Sequence, residues 1–445
     1  MLRTQAALSR KHCIKRVSLR GGGLKADDVA ISRQLVTDCT SLRLPRRLRL
    51  LAMTYVFISI YAGEPFVRLK IGASTMIYLD NSATTKPCAE AVAAMTEMLT
   101  ECWGNPSSVH GLGVQAERKL KEARKQVADL MGAEPERVFF TSGGTEADNW
   151  AIQAAAERLG KRGKHIVTTA VEHHAVLHPM EKLEAQGFEV TYLEPDEAGY
   201  VSVEALSAAL RKDTILVSVM MVNNETGAVM PIEKMVKATR RLSPLALFHT
   251  DAVQGLGKVP FKAKTLGADM ISVSGHKLHG AKGVGALYIK KGVQLPPFIR
   301  GGGQESNYRS GTEGLPAIVG FGAACAACDL KAEIAHLTAL RDRCREVLAD
   351  VPGIVFLGKG DAPHIVTISI PGLRSQGLIN CLQDHEIYVS AGSACSKGHR
   401  SHVLEAQGVD PRVIDGAIRI SFGRENTPED VDDLQAGLLE AISRL

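Results

Sequence analysis

The strongest chemical signal in the sequence is a lysine in a short glycine-rich turn. Lys277 lies in the segment Ser-Gly-His-Lys-Leu-His-Gly-Ala-Lys-Gly, residues 274–283, between two predicted strands. A lysine amine forms a Schiff base with a carbonyl group, so a lysine on such a turn is suited to hold a carbonyl cofactor. Taken alone, a lysine in a surface turn is more often a solvated side chain.

Two further groups meet the requirements of one such cofactor, pyridoxal phosphate. Residues 141–146, Thr-Ser-Gly-Gly-Thr-Glu, follow a predicted strand and open a helix, where free backbone N–H groups bind phosphate. Asp251 ends another predicted strand and supplies the acid that the pyridinium nitrogen requires. Close packing explains many glycine-rich turns, and an isolated aspartate often caps a helix. Together with Lys277, however, the two features favour pyridoxal phosphate several-fold over these structural alternatives.

More polar residues follow predicted strands, where open parallel sheets place their ligands. His173 ends the second strand, Asn224 follows the fourth, and Gln254 comes shortly after Asp251. A histidine or asparagine in such a turn is often only a capping residue or part of an Asx-turn. Arg419 lies on a later predicted strand, where a fixed guanidinium is suited to bidentate binding of a carboxylate, with a surface ion pair as the alternative.

The second candidate nucleophile is Cys395, and small residues on both sides of it predict an exposed, mobile loop. A cationic environment lowers the pKa of a thiol and makes the reactive thiolate more abundant. A stray surface thiol is the alternative. The cationic residues that follow the cysteine are Lys397, His399, Arg400 and His402.

The elements that must position these groups alternate between short β-rich runs and amphipathic segments, which is the pattern of an α/β fold with a mostly parallel sheet. The connection between the last two strands is too short for a crossover helix, so the last strand is predicted to be antiparallel. A second α/β set follows the helical segment 330–348. We therefore predict a large domain over 76–330, whose first residues join a small domain over 331–445. The predicted strands of the large sheet are 137–141, 165–170, 188–193, 214–220, 246–250, 269–274 and 284–289.

Charge and cysteine content exclude several function classes. Residues 1–75 carry 14 Lys and Arg against 4 Asp and Glu, a net +10, whereas the whole chain is +5, so the remaining residues are net −5. This balance argues against direct binding to nucleic acid. Nine cysteines without framework spacing indicate a reducing compartment, which we expect to be the cytoplasm.

The N-terminal extension is predicted to lie outside the folded enzyme. Residues 1–26 contain no acid and several Arg and Ser, so an organelle transit peptide is the alternative. The apolar run 50–62 is too short to span a bilayer, and no membrane partner is expected. We expect the natural start at Met76.

From about Met76 to its C-terminus, the sequence resembles cysteine desulfurases of the NifS and IscS type, within the class V aminotransferase group. So many motifs in the same order make a chance match negligible. The motifs that carry the resemblance are Tyr-Leu-Asp-Asn-Ser-Ala-Thr-Thr (78–85), Gly-Asn-Pro-Ser-Ser-Val-His (104–110), Thr-Ser-Gly-Gly-Thr-Glu (141–146), Val-Asn-Asn-Glu-Thr-Gly (222–227), Ser-Gly-His-Lys (274–277), Arg-Ser-Gly-Thr (309–312) and Gly-Ser-Ala-Cys (392–395).

The resemblance implies fold type I of pyridoxal-phosphate enzymes, as in aspartate aminotransferase, and a homodimer with active sites at the subunit interface. It implies that Lys277 holds the cofactor, that Asp251 pairs with the ring nitrogen and that His173 stacks on the ring and moves protons. Arg419 with Asn81 would bind the substrate carboxylate. The remaining implied cofactor contacts are Asn224 and Gln254 near the 3-oxygen, and Gly144, Thr145, Ser274, His276 and the other subunit's Thr312 at the phosphate.

The implied reaction takes sulfur from L-cysteine onto Cys395 as a persulfide and leaves alanine. The acceptor would be an iron–sulfur scaffold, where Cys395 transiently touches the cluster, or a tRNA-thiolation enzyme. The sequence departs from the housekeeping members because only seven residues separate Cys395 from Val403, which leaves the acceptor open.

Three rival functions remain at this point. They are a selenocysteine lyase or other lyase on the same fold, a non-catalytic sulfur carrier, and a metalloprotein. The last is suggested by Cys325 with Cys328 and by His276 with His279, but no second cysteine pair has zinc-site spacing, so no metal is predicted.

Overall fold

The architecture comes from a computed structural model, which describes residues 76–392 and 400–445. The predictions made for residues 1–75 and for Cys395 itself lie outside the described residues. The prediction of a boundary between residues 330 and 331 is not tested by the structure and stays a prediction.

A seven-stranded sheet forms the larger layer and confirms the predicted α/β fold. The strand order across the sheet is β2-β8-β7-β6-β5-β3-β4. Most of its strands are buried along their whole length, as expected for a sheet covered by helices on both faces. The strands are β2 (Val138–Thr141), β3 (His165–Thr169), β4 (Glu189–Leu193), β5 (Thr214–Ser218), β6 (Leu247–Asp251), β7 (Met270–Ser274) and β8 (Gly285–Ile289).

Strand β8 runs antiparallel to both of its neighbours, as predicted from the short connection. It pairs with β7 from Met270↔Ile289 to Ser274↔Gly285, and with β2 on its other side. The other pairs in this sheet are parallel. Gly283 helps to close the turn before β8, because its φ of 78° lies in the left-handed region that glycine tolerates.

Helices connect these strands and pack against the sheet. The helix after β2, for example, buries Trp150 and Ile152. The helices of this part are α1 (Ala89–Thr100), α2 (Gly111–Met131), α3 (Gly144–Leu159), α4 (His174–Glu184), α5 (Val203–Ala209), α6 (Ile232–Leu242), α7 (Ala263–Leu266) and α8 (Leu315–Ala326).

Two smaller sheets follow, and they have a hydrophobic core of their own that contains Leu79, Ile368 and Phe422. One is antiparallel in the order β12-β10-β9, and in the other β1 and β11 pair in parallel. The sequence did not predict β9, because three residues with an exposed first valine give little periodic signal. Their elements are β1 (Ile77–Tyr78), β9 (Val355–Leu357), β10 (Ile365–Ser369), β11 (Ile387–Tyr388), β12 (Ala417–Ser421), α9 (Leu330–Leu348), α10 (Ser375–Asp384), α11 (His402–Ala406), α12 (Pro411–Asp415) and α13 (Pro428–Arg444).

Isolated β-bridges place three distant segments side by side. Asp80 pairs with Ser421, and Ser390 pairs with Arg419. The segment after β1 therefore lies beside β12, and both adjoin the last described residues before 393. Within the described ranges, no single helix has the length and apolarity to cross a membrane, although α8 and α9 meet those criteria together as a pair bent by 78°.

Candidate active site

A cavity of about 250 Å³ lies where the carboxyl ends of the parallel strands meet. Because β3, β5, β6 and β7 run in the same direction, the polar residues that follow them converge at one edge of the sheet. The lining contains ten residues that were predicted from the sequence to belong to the site. They are Gly144, Thr145, His173, Asn224, Asp251, Gln254, Ser274, His276, Lys277 and Arg419.

Lys277 lies in a single 3₁₀ turn between β7 and β8, and its amine reaches into the cavity. The ammonium donates hydrogen bonds to the carbonyl oxygens of Ser82, at 2.5 Å, and Ala83, at 2.8 Å. Burial, and then the positive charges of Arg419 and Lys258, lower the pKa of Lys277 to about 8. A lysine with such a pKa is uncharged in about one molecule in ten at pH 7, far more often than a lysine with the ordinary pKa, and the uncharged amine is the nucleophile.

Asp251 ends β6 at the floor of the cavity, and its carboxylate accepts a hydrogen bond of 2.8 Å from the Val253 backbone N–H. The aspartate thus closes a local turn rather than capping a helix, which was the structural alternative, and it also lines the cavity. Burial and the nearby carboxylate of Asp148 raise the pKa of Asp251 to about 7. A cationic ring nitrogen beside it would remove this penalty by stabilising the charged carboxylate.

His173 is both a helix cap and a cavity residue. Its Nδ1 accepts a hydrogen bond of 3.1 Å from the Ala175 N–H at the start of α4. Burial, followed by the charge of Lys277, lowers the pKa of His173 to about 4. The imidazole is therefore neutral at physiological pH, and with Nδ1 accepting, its hydrogen is carried on Nε2.

The two asparagines after β5 have different roles. Asn223 forms the Asx-turn, because its Oδ1 accepts hydrogen bonds from the backbone N–H groups of Glu225 and Thr226 at 2.9 Å. Asn224 instead lines the cavity. Gln254 lines it too, and donates a hydrogen bond of 2.9 Å to the Ser82 carbonyl.

The end of the cavity nearest β2 has the features of an anion site. Helix α3 begins at Gly144 without a side-chain cap, so its first N–H groups remain available. The Ser274 hydroxyl is buried and has no hydrogen-bond partner among the described residues. Burial lowers the pKa of His276 to about 4, and its Nδ1 lies 3.2 Å from the Thr84 hydroxyl. Gly144 also packs closely, since a Cβ there would lie 2.6 Å from Val253 Cγ2.

Arg419 is almost fully buried on β12 and points its guanidinium into the cavity. Its two terminal nitrogens donate hydrogen bonds of 2.8 Å to the Asn224 carbonyl and to the Asp80 carboxylate. Its Nε has no partner among the described residues. The surface ion pair considered as an alternative does not describe this residue, because Arg419 is 2% exposed.

Two residues implied by the resemblance lie outside this lining. The Asn81 side chain donates hydrogen bonds to the carbonyls of Tyr78 and Ser421, so it stabilises the junction of β1 and β12. Thr312 is exposed, three residues after Arg309, which forms an isolated β-bridge with Ile299. Its predicted contact is with another subunit, and it stays a prediction.

Cys395 lies outside the described residues, but the residues on either side of the undescribed stretch are anchored. Glu225 accepts a hydrogen bond from the Ser401 hydroxyl, and its Oε2 lies 3.1 Å from the position that a Cβ of Gly392 would take. Arg400 forms a bidentate ion pair with Asp415. His402 contacts the Glu172 carbonyl through Nε2, at 3.0 Å. Of the four predicted cationic neighbours, these two already have protein partners.

Two acidic residues at the site were not predicted from the sequence: Asp148 lines the cavity, and Asp80 accepts a hydrogen bond from the Arg419 guanidinium. Asp148, inside α3, is fully buried, and burial raises its pKa to about 7. Asp80 pairs with Arg419 across 339 residues of sequence. An aspartate on the apolar face of a predicted helix was a usable signal for Asp148, whereas no local pattern indicates the pairing of Asp80.

The comparisons with known sequences agree with this geometry. A family model described as aminotransferase class-V matches residues 77–434. The cysteine desulfurase IscS of Methanosarcina thermophila is 44% identical over 375 residues, which cover 83% of this chain and 92% of the relative. The cysteine desulfurase IscS of Dictyoglomus turgidum is 43% identical over 363 residues, covering 80% and 92%.

Solved structures show the same similarity. A NifS-like protein superposes with a TM-score of 0.79 at 39% identity and covers 83% of this chain and 100% of its own. The apo cysteine desulfurase from Thermococcus onnurineus gives a TM-score of 0.76 at 28% identity, covering 83% and 95%. SspA in complex with cysteine gives 0.70 at 32% identity, covering 78% and 99%.

Proposed function

The chain belongs to the class-V aminotransferase family and is a pyridoxal-phosphate-dependent cysteine desulfurase, and we propose that it collects sulfur as a persulfide on Cys395 for delivery to an acceptor protein. The observation that carries this function is the single cavity that joins Lys277, Asp251 and Arg419. An amine, an acid and a carboxylate-binding guanidinium in one buried space are what an amino-acid-converting pyridoxal-phosphate enzyme requires.

The cavity passes a test of fit for the cofactor. The orphaned hydroxyl of Ser274 and the uncapped start of α3 provide donors for a phosphate group. A carboxyl group, Asp251, lines the same cavity as the Lys277 amine. Thr145 and His276 would complete the phosphate contacts, and Asn224 and Gln254 would lie near the ring. When bound, the cofactor supplies an electron sink for the amino acid's α-carbon.

The protein's own groups then account for substrate binding and proton handling. Arg419 binds the α-carboxylate of L-cysteine, while Asp80 and the Asn224 carbonyl hold the guanidinium in orientation. The Lys277 amine accepts and returns the α-proton, since its lowered pKa leaves part of it uncharged. His173, neutral because of its burial, moves a second proton through Nε2.

The sulfur chemistry centres on the thiolate of Cys395. The net reaction converts L-cysteine and the Cys395 thiol into L-alanine and a Cys395 persulfide. One carbon–sulfur bond breaks and one sulfur–sulfur bond forms, so no external oxidant is needed. The related SspA structure is a complex with cysteine, which supports L-cysteine as the substrate here.

The proposed assembly is a homodimer that hands sulfur to an iron–sulfur scaffold or to a tRNA-thiolation enzyme. Exposed apolar side chains on and between α1 and α2 support a protein interface, and they include Leu99, Trp103 and Val109. The predicted role of Thr312 at the other subunit's phosphate site needs such a dimer. We place the reaction in the cytoplasm, since a persulfide carrier requires a thiol that stays reduced. The molar mass in solution tests the dimer directly.

The deciding experiment compares wild type with Cys395→Ser, using L-cysteine and a reductant. We expect both proteins to show the absorbance of a lysine-bound cofactor, and only the wild type to release alanine and sulfide in equal amounts. Lys277→Ala serves as the matched variant that removes the other nucleophile and should lose the covalent absorbance. A colourless wild type would exclude the cofactor, and a Cys395→Ser variant that still desulfurates cysteine would indicate a selenocysteine lyase or another lyase.

The metalloprotein alternative has no support in the described part of the chain. No group of three or more potential ligands lies together among residues 76–392 and 400–445. Cys325 is buried in α8 with its pKa raised by that burial, so its thiol behaves as a small core side chain.

A further inference from the structure

A second lysine lies directly beneath the turn that presents Lys277. Lys258 is 2% exposed, and its ammonium donates a hydrogen bond of 3.1 Å to the backbone carbonyl of Lys277. We propose that Lys258 is a positioning residue that holds the Lys277 backbone and keeps its cofactor-binding amine in a positive environment. This inference rests on the proposed function, because it concerns the reactivity of Lys277 toward a carbonyl cofactor.

The chain brings Lys258 to this place by a tight turn after β6. The segment from Asp251 to Lys258 supplies the acid of the cavity, then Gln254, and then the lysine. Gly257 has a φ of 72°, and a Cβ there would lie 2.1 Å from Leu278 Cδ1. A side chain at 257 would therefore push this segment away from the Lys277 turn. The glycine allows the segment to lie close against the Leu278 side chain, in a position from which the Lys258 amine reaches the Lys277 carbonyl.

A neutral donor would satisfy the Lys277 carbonyl at a lower desolvation cost than a buried ammonium. The hydrogen bond alone therefore does not explain why a charged lysine, rather than a neutral donor, occupies position 258. Among the residues that the structure describes, no carboxylate forms an ion pair with Lys258. Its charge is consequently not cancelled by direct contact and acts on the neighbouring groups.

The charged and titratable groups around Lys258 come from several elements. Burial lowers the pKa of Lys258 to about 8, while Glu333 and Cys328 favour its charged form and Arg424 opposes it. The positive charge of Lys258 in turn lowers the pKa of His279 and of His364, both of which burial already keeps neutral.

The positive charge of Lys258 also acts on Lys277. Its charged form is opposed by burial, by Arg419 and by Lys258, and is favoured by Asp80 and Asp251. Removing the Lys258 charge while keeping the other groups should therefore make Lys277 more basic. A more basic lysine is protonated in a larger fraction at neutral pH and reacts more slowly with a carbonyl.

The test uses the full-length holoenzyme and a pH titration of the absorbance that reports the covalent link between Lys277 and the cofactor. Lys258→Met removes both the charge and the hydrogen bond, and Lys258→Gln removes the charge while keeping a donor. We expect the pKa of the link to rise by roughly one unit in both variants. The matched control is Lys290→Met, because Lys290 also donates to a backbone carbonyl, that of Gly267 at 3.2 Å. This control should titrate like wild type.

The outcomes separate this inference from the proposed function. A wild type without the cofactor absorbance contradicts the proposed function itself. A wild type that titrates normally, with Lys258→Met or Lys258→Gln titrating at the same pH, overturns the role of Lys258 alone. If both neutral variants fold but bind no cofactor, Lys258→Arg decides the matter, because restored binding supports the inference and continued loss contradicts it. Circular dichroism verifies the fold of each variant.

Discussion

The cofactor-binding side of the cavity and the residues that flank Cys395 are held in place in different ways. Asp251 and Lys277 lie at the ends of adjacent buried strands, and their register is set by main-chain pairing, with Asp251 opposite Ser272. On the two sides of Cys395, the Ser390 hydroxyl instead donates a hydrogen bond of 2.9 Å to the Gly392 carbonyl, and the Ser401 hydroxyl donates one to the Glu225 carboxylate. The first arrangement is built from backbone hydrogen bonds and the second from side chains.

The difference matches the demands of the two nucleophiles. The Lys277 amine must meet one atom in a fixed geometry, so small displacements are costly. Cys395 has to serve both a substrate in the cavity and an external acceptor, and side-chain hydrogen bonds hold the described residues on either side of it.

The largest effect is expected on the cofactor-binding side of the cavity. Asp251→Asn removes the acid that stabilises a positive ring nitrogen, and kcat for alanine formation should fall by about 10²- to 10³-fold. Asp269→Asn is the control, because Asp269 is a buried carboxylate directly before β7 that pairs with Arg240 of α6 and does not line the cavity. It should lower the melting temperature while kcat stays near wild type. Equal losses of kcat in the two variants would show that the effect is structural.

A smaller effect is expected at the flanks of Cys395. Glu225→Gln weakens the charge-assisted hydrogen bond from Ser401, and we expect sulfide release to fall by about tenfold through poorer positioning. Cofactor absorbance should stay unchanged, because Glu225 is absent from the cavity lining. Glu233→Gln, on the exposed face of α6, provides the control. Loss of bound cofactor in Glu225→Gln would remove the distinction between the two regions.

Because Asp148 is buried on the cofactor-binding side of the cavity, we expect the stability of the protein to depend on pH. Burial raises the pKa of Asp148 from 3.8 to about 7, so between these pH values the folded state binds more protons than the unfolded state. The contribution of Asp148 to stability therefore falls as pH rises through this window. Asp148→Asn removes this term, and its melting temperature relative to wild type should increase by a few degrees from pH 5 to pH 8.

Thermal unfolding of both proteins across that pH range tests this prediction. His249, whose pKa burial lowers to about 4, makes wild-type stability rise with pH between about 4 and 6.5. His249 Nε2 lies 3.5 Å from Asp148 Oδ1, and the Asp148 carboxylate raises the pKa of Asp251, so the difference between the two proteins reports Asp148 together with its effect on these two neighbours. A difference in melting temperature that does not change with pH would contradict the raised pKa of Asp148.

The smallest effect is expected for the exposed ion pair beside Cys395. Arg400→Gln breaks the contact with Asp415, but both side chains are nearly half exposed, so solvent screens the interaction. The melting temperature should change by no more than about 1 °C and turnover by less than about twofold. Asp415→Asn should behave in the same way. A large loss of alkylation rate at Cys395 in Arg400→Gln alone would instead show that this guanidinium activates the thiol.

Local sequence patterns predicted much of the fold and of the cavity. All seven strands of the large sheet were predicted within a few residues, because their apolar runs are bounded by turn residues. The antiparallel direction of β8 was predicted from the short connection between β7 and β8, because that connection has no room for a crossover helix. Ends of parallel strands meet at one edge, so the positions of Asp251 and Lys277 in the sequence were enough to predict their proximity.

The sequence by itself determined the nucleophiles, the acid and the anion-binding turn, because these depend on residue type and on short spacing. Only the tertiary structure decided which distant residues support them. The contacts of Arg419 with Asp80, of Glu225 with Ser401 and of Lys258 with Lys277 join residues that are 339, 176 and 19 positions apart in the sequence. Such pairings depend on the burial and charge of the assembled fold, and neither quantity is encoded in a local pattern.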